Sequence, residues 1–308
     1  MNLKQLRYFE AIYETGSVSG ASLRHNIAQS ALSYQIANLE KELGVRLFER
    51  RPRGMAPTVE GDRLYEHVRR IFLAVDNARS DLLARSGTVA GTVTVGLPYT
   101  ALEMIGLQLA ERAAAAFPNL QLWIAESLSS QALSSLRRGS VDLALLYNPA
   151  VSADLRTTQL LTEEMLCIGR PEIVGTSGAP IDFDDVAKLP QLLLRHGDAA
   201  RAIVDDPVLL RRIVRRSRIE LISTNMLKQA LVKGFGCAIG PRATLDSVLR
   251  DPSLHARRIT RPVIRRRLCL AWLAERPLGR AEMAVADLLT ELIADAIGSG
   301  RWDAELET

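Results

Sequence analysis

A chain of 308 residues has room for about two domains of ~150 residues each. With 47% hydrophobic and 24% charged residues it has a globular balance, which excludes wholesale disorder. The net charge of +4 rests on arginine, since there are only five lysines. Arginine forks suit phosphate and base edges, and a solvated arginine surface gives the same composition. Cys167, Cys237 and Cys269 are odd in number, far apart and without CxxC spacing, which excludes a dense disulfide scaffold and the usual zinc fingers. The four histidines include no HExxH or HxH pair, so no metal and no cofactor is expected. The N-terminus lacks a secretory pattern and no run of about 18 apolar residues follows, so a cytoplasmic chain without a membrane partner is expected.

In chain order, Leu3, Leu6, Tyr8, Phe9 and Ile12–Tyr13 form a helical apolar stripe that Gly16 ends. Ser17 and Ser19 are start signals for a second short helix. A third runs from about Ala28 to Leu43, with Leu32, Ile36, Leu39 and Leu43 inward and Gly44 closing it. Val45 to Phe48 alternates like a strand, residues 51–54 make a turn, and Met55–Thr58 returns as a second strand. Three helices and a small hairpin predict a winged helix-turn-helix over 1–58.

Residues 59–88 predict one linker helix. Leu64, Val68, Ile71, Val75, Ala78 and Leu82 follow spacings of 4, 3, 4, 3 and 4, a heptad seam suited to dimerisation. The alternative is a long amphipathic core helix. Residues 89–308 alternate strands (91–96, 120–126, 141–147, 165–169, 191–195, 218–221, 237–240, 268–273) with helices (101–116, 128–138, 183–188, 209–216, 224–233, 283–297). Such alternation predicts an α/β layered fold with mainly parallel sheets, whose ligand sits beyond the carboxyl ends of strands.

The stretch from Gly16 to Gly61 carries the most specific signal. Gly16-Ser17, Ala21, Gln29, Ala31-Leu32-Ser33, Gln35-Ile36, Leu39-Glu40, Leu43-Gly44, Leu47-Phe48, Arg50, Thr58 and Gly61 closely resemble the N-terminal domain of LysR-type transcriptional regulators. Pro118, Gly139–Asp142 and Gly234–Pro241 fit the same family's effector domain more loosely. Three positions depart from the family's pattern. Ser30 stands where proline is common, His25 where a buried leucine is usual, and Ser22 replaces the second alanine of an Ala-Ala pair. For His25 the readings are a neutral buried ring or a pH-sensitive site.

The residues agree with the resemblance. A recognition helix starting near Ala28 would aim Gln29, Ser30, Ser33 and Tyr34 at bases or phosphates in the major groove. Arg50, Arg51 and Arg53 on the wing suit phosphate or minor-groove contacts. Residues 1–58 hold eight Lys/Arg against five Glu, a net +3.

The resemblance further implies an effector-binding domain of two α/β subdomains like those of periplasmic binding proteins. They would comprise about 90–162 with 268–300, and about 163–267. Carried onto this chain, the effector-cleft candidates are Pro98, Tyr99, Thr100, Ser127, Ser129, Asn148, Ser223 and Thr224. Hydroxyls, amides and helix N-termini suit a small anionic effector. The implied function is a sequence-specific DNA-binding transcriptional regulator of the LysR type, controlled by that effector. It would not be an enzyme. Its partners would be double-stranded DNA, a second or third and fourth copy of itself (homodimer or homotetramer), and RNA polymerase. The rivals are a ligand-binding or catalytic α/β protein with a vestigial DNA domain, against which Gln29, Ser33, Arg50 and Arg53 count, and a DNA binder with a dead cleft.

Gly234-Phe-Gly236-Cys-Ala-Ile-Gly240 has GxGxxxG spacing between a helix and a strand, the wrong context for a dinucleotide fingerprint. A tight turn explains it better, with Cys237 as a small core residue. Two arginine runs, at 211–218 and 257–267, admit three readings: solvated faces, subunit contacts or an anion site.

Overall fold

The computed structural model describes residues 1–52, 54–83, 89–194, 203–221, 223–243 and 253–307, without the side chains at 73, 76, 77, 79–83 and 218. It divides into two compact units, Met1–Arg79 with Arg138–Ser140, and Ser80–Arg137 with Val141–Thr308, each with its own core.

The N-terminal unit contains α1 (Leu3–Thr15), α2 (Val18–His25), α3 (Gln29–Leu43), the hairpin β1 (Phe48–Arg51) and β2 (Gly54–Pro57), and the start of α4 (Val59–Leu83). Asn2 and Gln5 form a reciprocal capping box on α1. Gly16 closes α1 at φ 63°, a left-handed value that a Cβ disfavours. Leu6, Phe9, Ile12, Leu32, Ile36 and Leu39 meet in the core, whereas Leu43, expected inward, is exposed. The first wing strand starts later than the alternation predicts. Glu40 Oε1 accepts from Leu47 N at 2.7 Å and Phe48 N at 3.3 Å, so a side chain takes donors a longer ladder would use.

Thr58 fixes the start of α4: its Oγ1 accepts from Gly61 N at 3.0 Å and donates to Arg46 O at 2.7 Å. A Cβ on Gly61 would lie 2.2 Å from Leu47 O, so this close approach requires glycine. Val68 and Phe72 of α4 are buried in the N-terminal core, with Leu64 and Ile71 packed beside them. Val68 therefore faces its own domain rather than a partner. Val75 is half-buried and Ala78 exposed; the side chain of Leu82 lies outside the described residues.

The C-terminal unit runs β3 (Ala90–Leu97), α5 (Tyr99–Ala116), β4 (Asn119–Glu126), α6 (Ser129–Arg138), β5 (Leu143–Tyr147) and β6 (Leu155–Gly169). Then follow α7 (Pro171–Val174), β7 (Ile181–Asp182), α8 (Phe183–Val186), β8 (Gln191–Leu194), α9 (Pro207–Val214), β9 (Ser217–Leu221), α10 (Thr224–Val232) and β10 (Ala238–Pro241). It ends with β11 (His255–Thr260), β12 (Arg265–Leu273), α11 (Arg280–Gly298) and β13 (Glu305–Leu306). The main sheet has the order β4-β3-β5-β12-β6-β11-β7, with β10 and β13 also on β6.

Pairing is parallel for β3–β4, β3–β5, β7–β11 and β8–β9, as alternation predicts. It is antiparallel wherever β6 or β12 meets another strand. The sheets are thus mixed, because the long β6 and β12 lie against each other in opposite directions. Leu155–Glu164 of β6 pairs with β12, and Met165–Gly169 pairs with β10 and β11. One strand therefore serves two cores. The first gathers Val93, Val95, Leu143, Leu145, Val285 and Leu289; the second gathers Met165, Cys167, Phe183, Ile213, Cys237 and Ile259.

Candidate functional site

On the N-terminal unit, α3 begins at Gln29 after Ala28, which supplies no side-chain cap. Gln29, Ser30 and Ser33 are exposed, and Tyr34 is 65% exposed, an unusual state for a large ring. They occupy the first turns of α3, while Leu32 and Ile36 hold the opposite side in the core. Arg50 and Arg51 are exposed on β1, and Arg53 lies outside the described residues. His25 is half-buried, its ring edge-on to Tyr8 at 5.6 Å. Burial first, then Arg24 and Arg7, lowers its pKa below the ordinary 6.5.

In the C-terminal unit a cavity of about 100 Å³ is lined from both cores. Pro98, Tyr99 and Thr100 reach it from the start of α5, Ser129 from the start of α6 and Thr224 from the start of α10. The α5 start is buried at Thr100 and Ala101, and its N-cap residue Pro98 supplies no side-chain cap. Ser129 Oγ accepts from Tyr147 N at 3.0 Å. The other three cleft candidates do not line the cavity. Ser223 caps α10 through Met226 N at 3.3 Å. Asn148, buried at φ 45°, accepts from Arg267 N at 2.9 Å and ties β5 to β12. Ser127 Oγ is buried without a partner.

Sequence reasoning missed the apolar part of the wall and two lining residues with polar groups, Tyr147 and Arg266. Arg266 is buried, donates from Nε to Glu163 Oε1 at 2.6 Å and from Nη2 to Thr100 Oγ1 at 3.3 Å, and lies 3.5 Å over the Tyr147 ring. Trp302 Nε1 donates to the other Glu163 oxygen at 3.0 Å. The Tyr147 hydroxyl is buried against Thr100 and Glu163. Burial pushes its pKa far up, so it stays a neutral donor. Strand alternation could have found Arg266, because Arg265 and Arg267 are exposed on the other face of β12. Tyr147 ends β5, at the carboxyl end where open α/β sheets bind ligands.

The arginine run of β11 and β12 is held within the chain. Arg257 donates to the carbonyls of Val174, Ala179 and Pro180, Arg258 and Arg265 pair with Glu164, Arg261 with Asp182 and Arg267 with Asp205. In the other run Arg212 pairs with Asp184, while Arg215 and Arg216 are exposed. The Gly234–Gly240 segment is a helix-to-strand turn: α10 stops, Gly234 takes φ 76°, and β10 follows. Cys237 is buried there, and a hydrogen bond with it, then burial, pushes the Cys167 thiol pKa up. Among the described residues no cluster of potential metal ligands occurs and no helix is long and apolar enough to cross a membrane.

The family model of bacterial regulatory helix-turn-helix proteins of the lysR family matches residues 3–62, and that of the LysR substrate binding domain matches 86–294. The chain belongs to the LysR family. It is 31% identical over 295 residues to the nitrogen assimilation regulatory protein nac of Klebsiella aerogenes, covering 96% of each chain. Its fold is that of a full-length OxyR variant from Pseudomonas aeruginosa, with a TM-score of 0.73 at 24% identity over 95% of this chain and 94% of that one. Full-length CbnR, solved with its target DNA, gives a TM-score of 0.66 at 17% identity over 96% and 100%. This LysR-family chain is a DNA-binding transcriptional regulator with an effector-binding domain, and its relatives are named as regulators rather than enzymes.

Proposed function

We propose that this regulator reads DNA through Gln29, Ser30, Ser33 and Tyr34 on α3 and Arg50, Arg51 and Arg53 on the wing, and that a small anion bound in the C-terminal cavity controls it. The observation that carries the second half is the buried, side-chain-uncapped start of α5 at Thr100 and Ala101, beside the starts of α6 and α10. Backbone N–H groups at helix starts and neutral hydroxyls hold an oxyanion without a lone buried charge. Pro98, Tyr99, Ser129 and Thr224 complete this wall. The active assembly is a homodimer or homotetramer joined along α4, acting in the cytoplasm and contacting RNA polymerase when the effector binds.

Two measurements test the reading. A melting screen of carboxylates, phosphates and sulfur oxyanions on the wild type and Thr100→Val should find a stabilising anion whose effect shrinks in the variant, with basal DNA binding kept. Stabilisation by cations alone, or equal stabilisation of both proteins, would reject the site. For the DNA face, Gln29→Ala should lose about 1–3 kcal/mol of discrimination at one base pair. Arg50→Ala should weaken binding to all sequences and lower the salt slope by about one. Unchanged footprints and salt dependence would reject these contacts.

A further inference from the structure

We infer that α3 reads A·T base pairs, and that Tyr34 sets this preference by packing its ring on a thymine methyl group; this rests on the proposal above that α3 reads DNA. The stretch from Gln29 to Leu39 contains no lysine, arginine or histidine. The side chains exposed along it, Gln29, Ser30, Ala31, Ser33, Tyr34 and Ala37, are all uncharged. Guanine is read in the major groove chiefly by a bidentate arginine or lysine, and this stretch supplies neither. It supplies the Gln29 amide, whose donor and acceptor match N7 and N6 of adenine, and an apolar surface that matches the methyl group of thymine. Both matches belong to the same kind of base pair.

The apolar surface is centred on Tyr34, and the core decides where that ring points. Leu32, Ile36 and Leu39 are buried and fix the inward side of α3. With ~3.6 residues per turn, Tyr34 falls midway between Leu32 and Ile36 and faces directly away from them. Its ring is 65% exposed, an apolar area that water covers until a partner does. Ser30 lies one turn before it and Ala37 one turn after, both small, so the ring stands above its neighbours on the helix. Helical side chains lean toward the N-terminus, which carries the ring over Ser30, at the end of α3 that approaches base edges in this class of domain. The charge needed for the phosphates lies elsewhere: Arg46, Arg50 and Arg51 are exposed beyond the end of α3. Base reading and salt dependence are therefore carried by different elements.

The test starts from the duplex that the full-length wild type selects out of a random pool. Its thymines are replaced one at a time by uracil, which removes only the methyl group. At least one replacement should weaken binding about fourfold, the equivalent of ~0.8 kcal/mol for one buried methyl carbon. Tyr34→Ala should bind the thymine and uracil duplexes alike at that position, whereas Tyr34→Phe should keep the penalty. Tyr34→Arg should turn selection at that base pair toward guanine. A wild type indifferent to uracil at every position, or a penalty that Tyr34→Ala retains, would overturn the methyl contact. A penalty that Tyr34→Phe loses would move the contact to the hydroxyl and overturn it as well. Selection of G·C at the base pair that Gln29→Ala relaxes would overturn the A·T preference. In each of these outcomes a changed selection by Gln29→Ala leaves the reading of DNA by α3 standing. If neither Gln29→Ala nor Tyr34→Ala alters the selected sequence, that reading fails and the inference falls with it.

Discussion

One half-buried histidine and one buried ion pair carry consequences a surface reading would not suggest. His25 has a lowered pKa in the folded chain, so the unfolded chain binds a proton first as pH falls through 6.5. Stability of the N-terminal unit therefore falls as pH drops through 6.5, and levels once the folded imidazole also protonates. His25→Leu, which places an apolar side chain beside Tyr8, should flatten this slope in chemical denaturation followed across that range. Equal slopes in both proteins would reject the assignment. Glu163 and Arg266 are the second case. Glu163 is 1% exposed and has Arg266 and Trp302 as partners. Glu163→Leu strands a buried guanidinium and should cost about 3–5 kcal/mol of folding stability, whereas adding Arg266→Met should recover most of it. A double variant no more stable than the single would show that the pair is not coupled. Alternation along β12 marks Arg266 as inward, but Glu163 does not stand out in the sequence, and only coordinates reveal that the two are partners.

At the scale of elements, local chemistry explains what could be read in advance. α1, α2 and α3 are legible because caps and apolar spacing act within a few residues, at Ser17, Gly16 and Gly44. Five of the eight expected cleft residues line the cavity, because they stand at strand ends and helix starts. The first ten residues of β6, and all of β11, are not legible. Leu155–Glu164 opens with the exposed polar run Arg156, Thr157 and Thr158 and buries Glu163, which breaks any alternation, and the arginines of β11 are satisfied by carbonyls and carboxylates far away in the chain. The heptad seam of α4 shows the same limit: spacing marks an apolar stripe but not which surface covers it. Since Val68 is 0% exposed in one chain, Val68→Ala should cost about 1–3 kcal/mol of folding stability and leave assembly intact. Ala78 is exposed on the same stripe, and Ala78→Glu should instead weaken self-association by placing like charges opposite each other across a pair of helices. Sedimentation of both variants separates the roles; an unchanged oligomer in Ala78→Glu would remove this part of α4 from the interface.

For the whole molecule, the division of labour between the two units is itself measurable. The apolar residues of the N-terminal core come from α1, α2, α3, β1 and the first half of α4. Those of the C-terminal unit fall in separate clusters, built from β3, α5, β5 and α11 and from the strands and helices around β6. Units with separate cores unfold as separate cooperative transitions unless their contact is strong, so calorimetry of the full chain should resolve two transitions rather than one. The ligands then label them. A DNA duplex carrying the target site binds only the N-terminal unit and should raise its transition alone. An effector at 100 times its Kd stabilises the state it binds by ~2.7 kcal/mol, a shift of a few degrees for a unit of this size, and should raise the other transition. Thr100→Val should shrink only the effector shift and Arg50→Ala only the DNA shift, because each ligand's free energy enters through its own unit. When both ligands are present, any departure from the sum of the two shifts measures the coupling between effector and DNA, typically 1–3 kcal/mol in allosteric proteins. Strict additivity would mean that the effector does not control DNA affinity, and that regulation acts after binding, through the shape of the bound DNA or contact with polymerase.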